Sequence, residues 1–366
     1  MKELTKKYLI NGPNNVFRLS NGKKIIYLFI DSGNNISHQR ECNLNTEFET
    51  IDFDKLIFKF MKYEHKCEYD IFIEQNDNYN TSKNNIYREN YFDQFNKFIN
   101  SKINIINNKI VTVNKYSNFR FHFYNISGLI NSYKNIISYI SLYNPTRPPY
   151  NLFILNNYID IHKKIIKDLV NYKKFLDTSK HIIINKIKNL YSNIAIKTII
   201  TKIIEDILLI NINNAINNTH NIIKTITDMI NKLDDIYRYE TEYYTLEIDI
   251  YIKIIINCLL ITNCFIYLSI IFCLRRMLDK DYINNIILYA SSVNGQHFIY
   301  ILIKYFDFKI THQYYKHKDF NINNLHQYST NNFQYLDILN NNIIVFDDIL
   351  YSKQCIDLFS FPLNFT

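Results

Sequence analysis

The hydrophobic pattern divides the chain into two α/β parts with a helical stretch between them. Short apolar runs that are typical of buried strands occur at Lys24–Ile30, Tyr69–Ile73, Phe119–Tyr124 and Ile283–Ala290. Between the first two of these runs, Phe53–Tyr63 places apolar residues at helical spacing. Strands that alternate with helices in this way predict a parallel sheet.

The middle of the chain has a different pattern. Residues 145–150 (PTRPPY) contain three of the five prolines and interrupt the chain. From about Ile159 to Tyr244, Ile and Leu recur every three or four residues against Lys, Asn and Asp, and no Gly or Pro intervenes. This pattern predicts two to four helices. After the strand at Ile283–Ala290, we expect a turn at Ser291–Gly295 and a helix over Gln296–Phe306.

The predicted fold class is therefore α/β, with a mostly parallel sheet from the N- and C-terminal parts and a helical middle insertion. The predicted domains are residues 1–130 (N-terminal half of the sheet), 150–245 (helical insertion) and 246–366 (a helix, the C-terminal half of the sheet and a tail). The sheet would be assembled from residues 1–130 and 280–350.

The segment Ile254–Leu274 has 21 residues without a charge, with Lys253 before it and Arg275–Arg276 after it. It is long enough to cross a bilayer core of about 30 Å. Its polar residues fall on different sides of a helical wheel, as in a buried or a transmembrane helix. A spanning helix would place the two halves of the predicted sheet on opposite sides of the membrane, so a membrane anchor is kept as an alternative.

Composition weakens the arguments from charge. Residues with A/T-only codons are abundant, which indicates an AT-rich genome, and the net charge of +8 is spread thinly along the chain. No block of five like charges occurs, so we expect no specific nucleic-acid partner. The six cysteines show neither CxxC nor zinc-ligand spacing, which predicts a reducing compartment. The first residues have no apolar core of the kind found in signal peptides.

Known catalytic motifs are absent from the sequence. There is no P-loop, GxGxxG, GxSxG, HExxH or kinase signature, and five glycines leave little room for a phosphate-binding loop. These absences exclude the commonest nucleotide-dependent enzymes.

Six short motifs occur in order along the chain, at residues 25–42 (IIYLFIDSGNNISHQREC), 69–74 (YDIFIE), 118–127 (NFRFHFYNIS), 247–251 (EIDIY), 286–294 (IILYASSVN) and 354–357 (QCID). Together they resemble an uncharacterised protein family of large nucleocytoplasmic DNA viruses, the mimivirus-like group. Asp31, Gln39 and Cys42 keep the register of the first motif, and Arg120 and His122 keep that of the third. The strand-end motifs in turn resemble the TraB/TIKI, ChaN and erythromycin-esterase group of α/β proteins, several of which bind metal or haem.

The resemblance implies a site in which this chain has lost residues. The family histidines fall on Gly33 and Asn294, and a family aspartate falls on Asn125. Glycine has no side chain that could bind a metal, and asparagine has no group that titrates. The candidate site residues that remain are Glu74, Asp31, Arg120 and His122, while His38 and His297 could act as metal ligands only after a shift in register.

The candidates also have structural interpretations. Asp31 can be a helix cap or a turn residue, and His122 can be a hydrogen-bonded core histidine. Glu74 is the better functional candidate, because a charge at the end of a buried strand faces the crevice of a doubly wound sheet.

The resemblance implies a degenerate, non-catalytic viral protein with a structural or interaction role, unknown protein partners and a place in the host cytoplasm or the virion. The alternatives are a metal-assisted hydrolase that uses Glu74 and a shifted histidine, and a protein anchored in a membrane through Ile254–Leu274. With no nitrogen or sulfur ligand left at the site, we expect no zinc, no haem and no other cofactor. If the resemblance is correct, Gly33 and Asn294 should lie close together at the carboxyl ends of their strands, with Glu74 facing the same crevice.

Overall fold

The computed structural model describes residues 8–31, 42, 48–63, 67–74, 91–106, 109–112, 116–124, 184–231, 266–315 and 355–362, with separate residues between 163 and 182 and between 253 and 264. The strands are β1 (Tyr8–Asn11), β2 (Asn15–Ser20), β3 (Ile25–Asp31), β4 (Glu49–Asp52), β5 (Tyr69–Ile73), β6 (Ile103–Ile106), β7 (Lys109–Thr112), β8 (Phe119–Phe123), β9 (Asn285–Ser291), β10 (Lys309–Tyr315) and β11 (Cys355–Asp357). The helices with complete bounds are α1 (Phe53–Tyr63), α2 (Tyr91–Asn100), α3 (Ile194–Ile203), α4 (Leu209–Asn231) and α5 (Ser292–Phe306). The chain forms two compact units, residues 1–125 with 272–366, and residues 126–271.

The first unit contains a six-stranded sheet in the order β10-β2-β3-β9-β5-β8. The four strands β3, β9, β5 and β8 run parallel to one another, whereas β2 and β10 are antiparallel to their neighbours. Strand β9 therefore lies between β3 and β5, although it follows them by more than 200 residues. The prediction of a mixed α/β fold is confirmed, and this sheet is mostly parallel.

The two faces of the large sheet are covered by different helices. Alternate residues of β3, Tyr27 and Phe29, belong to an aromatic core together with Phe53 of α1 and Phe95 of α2. The intervening residues point to the opposite face, where Ile30 lies against α5. Helices α1 and α2 thus pack on one face, and α5, which follows β9, packs on the other. In parallel sheets, such a reversal between neighbouring strands opens a crevice at their carboxyl ends.

The N-terminus of α5 differs from the sequence prediction. The turn predicted at Ser291–Gly295 is wrong, because the helix begins at Ser292 and Ser291 is its extended N-cap residue. Gly295 lies inside the helix, and a Cβ atom there would approach Ile30 Cγ1 to 2.6 Å. The glycine therefore serves close packing of the helix on β3 rather than a turn.

Two smaller sheets belong to the same unit. Strand β1 pairs in parallel with β4 and antiparallel with β11, and β6 pairs with β7 as a hairpin. Cys355, the first residue of β11, forms a disulfide with Cys42 across a sequence separation of 313 residues. Disulfides are rare in the reducing compartment that the cysteine spacing predicts, and the compartment itself stays a prediction.

The described part of the second unit is helical. Asn193 caps α3 by accepting a hydrogen bond from the Ile196 N–H at 3.2 Å, and a π-helical turn at Ile204–Leu208 joins α3 to α4. Buried residues recur every three or four positions, at Ile200, Ile203, Ile204, Ile207, Leu208, Ile212, Ala215, Ile216, Thr219, Ile222 and Ile226. The predicted helical insertion, residues 150–245, is thus confirmed in part, over residues 184–231.

The proposed membrane segment Ile254–Leu274 is only partly described. Among the residues that the structure describes, no helix combines the length and the apolar character needed to cross a bilayer.

Candidate functional site

The candidate site residues fall into two separate groups on the large sheet. Asp31 is the last residue of β3 and Glu74 directly follows β5, so both lie at carboxyl ends of parallel strands. Arg120 and His122 lie within β8, and both contact Asp70 near the start of β5. Asp70 and Glu74 are four residues apart, which corresponds to about 13 Å along an ordinary strand. The four candidates therefore do not form one site.

The first group is the carboxyl-edge cluster, which consists of Asp31, Glu74, Tyr289, Ser291 and Asn294. Asp31 is fully buried and accepts a hydrogen bond from the Tyr289 hydroxyl. The Tyr289 ring stacks on Phe53 with a centroid separation of 4.7 Å. The aromatic core thus holds the tyrosine that satisfies the buried carboxylate.

Glu74 is engaged by the N-terminus of α5. Its Oε2 accepts a hydrogen bond from the Ser291 N–H at 2.8 Å, and its own N–H donates to the Tyr289 carbonyl at 3.2 Å. The first N–H groups of a helix have no partners within the helix, and a negative charge there interacts favourably with the helix dipole. Glu74 therefore links β5 to the start of α5.

Asn294 lies in the first turn of α5 and is 5% exposed. Its Nδ2 donates to Ser291 Oγ at 3.2 Å. Within the part of the chain that the structure describes, neither Asn294 Oδ1 nor the hydroxyl of the buried Tyr124 has a hydrogen-bond partner. Burial and the negative charge of Glu74 raise the pKa of Tyr124 well above its ordinary value, so its hydroxyl stays protonated.

The second group is the Asp70 cluster, which consists of Glu68, Asp70, Arg120 and His122. Arg120 Nε donates to Asp70 Oδ1 at 2.9 Å and Nη2 donates to Oδ2 at 2.6 Å, a bidentate pair. His122 Nε2 lies 2.7 Å from Asp70 Oδ1, and the imidazole packs on the Phe72 ring. Arg120 also contacts the exposed carboxylate of Glu68. Asp70 itself is fully buried, so the cluster satisfies a charge that would otherwise lie unpaired in the core.

The protonation states follow from these contacts. Burial alone would raise the pKa of Asp70, but hydrogen bonds from His122 and Arg120 and the charge of Arg120 outweigh burial and lower it. Burial lowers the pKa of His122, and the charges of Arg276 and Arg120 act in the same direction, although Asp70 opposes them. A neutral imidazole beside an ionised aspartate can accept a proton in catalysis. Here Arg120 donates hydrogen bonds to both carboxylate oxygens of Asp70. Asp70 therefore interacts with the arginine as well as with His122.

Three predicted positions, Gly33, Asn125 and His38, lie outside the described residues, so the predicted approach of Gly33 to Asn294 stays a prediction. The neighbouring pair can be placed, because Asp31 and Ser291 are register partners in the parallel pairing of β3 with β9. His297 is half-buried on α5, one turn beyond Asn294; its Nε2 atom is buried, and desolvation lowers its pKa to about 4. The described residues contain no group of three or more His, Cys, Asp and Glu side chains that could hold a metal ion.

Sequence reasoning missed two residues that organise these clusters. Asp70 is an acid inside the apolar strand YDIFI. Because a buried carboxylate needs an opposite charge or hydrogen bonds, its position indicated a polar side chain on a neighbouring strand. Tyr289 looked like one more aromatic residue in a chain with 31 tyrosines. Its role appears only because β9 lies beside β3.

Comparison with known proteins gives relatives from one virus. The chain is 29% identical over 382 aligned residues to the uncharacterized protein R161 of Acanthamoeba polyphaga mimivirus, a match that covers 83% of this chain and 87% of the relative. It is 27% identical to the uncharacterized protein R706 of the same virus, with 83% and 86% of the two chains covered. A third mimivirus relative, the uncharacterized protein R160, is 36% identical over 141 residues, which cover 38% of this chain and 26% of the relative. No solved structure matches the chain.

A family model matches residues 155–366, and its description is a family of unknown function (DUF5847). The matched region is more than half of the chain and includes β9, α5 and the C-terminal strand β11. Together with the mimivirus relatives, this match establishes that the chain belongs to DUF5847, an uncharacterised family with members in mimivirus.

Proposed function

We propose that the protein is a non-catalytic member of this viral family with a structural or interaction role. We place it in the host cytoplasm or the virion, where it would act through contacts with other proteins. The observation that carries the proposal is that both carboxylates of the carboxyl-edge cluster are engaged inside the fold. Asp31 is bound by Tyr289, and Glu74 is bound by the N-terminus of α5.

The same engagement argues against acid–base work at this edge. A catalytic carboxylate needs a free oxygen that faces substrate, and Asp31 is fully buried beneath the aromatic core. Asn294 stands where the viral family resemblance has a histidine, and its amide donates to Ser291 Oγ. The carboxyl-edge cluster thus keeps hydrogen-bonding groups. Among its described side chains, none is of a type that titrates near neutral pH.

The resemblance to the TraB/TIKI, ChaN and erythromycin-esterase group supports an enzymatic origin for this arrangement. Members of that group carry histidine and glutamate at strand ends, and several of them bind metal or haem. We propose that the glutamate persisted in this chain because it caps α5.

Metal content and stability together test the proposal. Glu74→Ala removes the cap and should lower the free energy of unfolding by about 1–2 kcal/mol. Glu74→Gln keeps an acceptor for the Ser291 N–H and should cost less than half as much. The full-length protein, before and after incubation with Zn²⁺, Mn²⁺ or Fe²⁺, should contain no stoichiometric metal by elemental analysis.

The opposite result would favour a metal-assisted hydrolase that uses Glu74 and a shifted histidine. Stoichiometric metal that is lost in both Glu74→Ala and Glu74→Gln would overturn the non-catalytic proposal. His297→Gln then distinguishes the ligands, because the metal content of this variant falls only if His297 binds the metal.

A further inference from the structure

We propose that the disulfide Cys42–Cys355 is a redox-controlled clasp that holds the C-terminal segment, residues 355–362, on the N-terminal part of the chain. Reduction by a dithiol would release this segment while the large sheet stays folded. The inference is independent of the proposed function at the carboxyl edge.

Both half-cystines are positioned by the same residue, Asn11 of β1. Asn11 is the register partner of Cys355 in the pairing of β1 with β11. Its side-chain Oδ1 accepts a hydrogen bond from the Cys42 N–H at 3.2 Å, and its Nδ2 donates to Asp52 Oδ1 at 3.2 Å. The Cα atoms of Cys42 and Cys355 lie 5.1 Å apart, within the ordinary range for a disulfide. The bond thus belongs to a built, buried arrangement and is not an accidental approach of two thiols.

In the part of the chain that the structure describes, the C-terminal segment contacts β1, Tyr27, Phe48 and His312. It pairs with β1 over three residues, and Ile356, Leu358 and Phe361 are buried. The Tyr27 hydroxyl donates to the Pro362 carbonyl at 2.8 Å, and the Tyr27 and Phe361 rings lie 6.4 Å apart. These contacts must offset the conformational entropy of eight ordered residues. We therefore expect the covalent bond to decide whether the segment stays in place.

The redox step is an ordinary thiol–disulfide exchange. Cys42 is 1% exposed, whereas Cys355 is partly exposed, so a reductant reaches the Cys355 sulfur first. A thiolate of the dithiol attacks Cys355 Sγ, and Cys42 leaves as a thiolate that takes up a proton. The second thiol of the reductant closes its own disulfide and releases the Cys355 thiolate, which is also protonated. Two electrons and two protons pass from the dithiol to the protein.

Two other described cysteines, Cys264 and Cys273, are poorly suited to compete for this bond. Burial raises the pKa of the Cys264 thiol to about 12 and that of Cys273 well above its ordinary value, so both stay as unreactive thiols. Cys67 is partly exposed and reduced, which makes it the matched control.

Release of the segment would change β1. In the oxidised protein β1 has a neighbour on each side, β11 and β4. Without β11, one side of Leu9–Asn11 would present unpaired backbone groups, as edge strands do. Reduction would thus convert an internal strand into one that can accept another strand.

Hydrogen–deuterium exchange with mass spectrometry tests the clasp on the full-length protein, with and without dithiothreitol. Peptides over 8–11 and 355–362 should exchange on the order of 30-fold faster after reduction, the factor that corresponds to a modest disulfide contribution. Peptides over β9 should not change. Cys42→Ser with Cys355→Ser should exchange fast in both conditions, whereas Cys67→Ser should respond to dithiothreitol like the unmodified protein.

Three results would overturn the proposal. The first is unchanged exchange over 8–11 and 355–362 after complete reduction, as measured by thiol alkylation. The second is that Cys42 and Cys355 are both free thiols in protein purified without reductant. The third is equally faster exchange over β9, because the bond would then stabilise the whole unit rather than one segment. The comparison of oxidised with reduced protein stands even if the double serine variant does not fold.

Discussion

Asp70 offers the sharpest test of the structure, because one arginine contacts two carboxylates with opposite exposure. Arg120 pairs with Asp70, which has no exposed side-chain surface, and with Glu68, whose side chain is 61% exposed. Asp70→Asn removes the buried charge and leaves Arg120 facing a neutral amide. Glu68→Gln makes the same chemical change on the exposed side of the same arginine.

The expected magnitudes differ because solvent compensates only one of the two changes. Removing one partner of a buried ion pair typically costs about 3–5 kcal/mol, since the other charge is left uncompensated. The Arg120 side chain is 27% exposed and keeps Glu68, so we expect about 2–3 kcal/mol for Asp70→Asn. An exposed pair contributes about 0.5 kcal/mol, which is our expectation for Glu68→Gln.

Urea denaturation at pH 7 gives both values, and a double-mutant cycle with Arg120→Met gives the coupling energy between Asp70 and Arg120. We expect a coupling of about 2 kcal/mol. Equal losses for Asp70→Asn and Glu68→Gln, or a coupling near zero, would refute the assigned pairing.

The dependence on pH provides a second check on Asp70. Its pKa is lower in the folded protein than in the unfolded chain. Its stabilisation is therefore fully present above the ordinary aspartate pKa of about 3.9, and it is lost as the pH falls through the folded value. The stability difference between the unmodified protein and Asp70→Asn should narrow below about pH 4. A difference that stays constant with pH would show that Asp70 contributes through packing rather than charge.

Two further predictions concern α5. Burial holds His297 neutral with a pKa of about 4, so the folded protein loses stability when acid protonates this histidine. Its contribution to the free energy of unfolding is present above the ordinary histidine pKa of about 6.5 and is lost on acidification, by about 2 kcal/mol between pH 7 and pH 5. Urea titrations of His297→Gln should lack this loss, whereas the exposed control His220→Gln should retain it. Gly295→Ala should cost about 1–3 kcal/mol because the new methyl group meets Ile30, and thermal unfolding of Gly295→Ala with Ile30→Ala should show less than the sum of the two single losses. An additive result would mean that the glycine matters for a reason other than its packing against Ile30.

Local apolar spacing was sufficient for several elements of the large sheet. The predicted helix Phe53–Tyr63 and the predicted strand Tyr69–Ile73 have the observed bounds, because each buries a regular set of apolar residues. Strand β10 was missed, and the sequence around it read as a polar tail. This strand lies at the edge of the sheet, where polar side chains such as Gln313 remain exposed and the apolar signal is weak.

The chemistry of the candidate site was less accessible from the sequence, because its contacts join distant residues. Asp70 meets Arg120 only through the register of β5 with β8, and Cys42 meets Cys355 across 313 residues. The first and last sequence motifs each contain one of these two cysteines. The motifs gave no information that the two cysteines form a disulfide. The interpretation of Glu74 as a functional carboxylate rested on its place at a strand end, which is correct, whereas its engagement by α5 depends on the helix starting at Ser292.

The position of β9 between β3 and β5 also determines the order in which the protein can be completed on the ribosome. Tyr289 is 258 residues downstream of Asp31, its hydrogen-bond partner. At ordinary translation rates of about 5–20 residues per second, roughly ten to fifty seconds separate the synthesis of these two residues. During that interval the nascent chain can form two strand pairs, β2 with β3 and β5 with β8, but each pair has an open edge where β9 belongs. The edges of β3 and β5 where β9 belongs therefore stay open to pairing with other chains until residues 285–291 have been made.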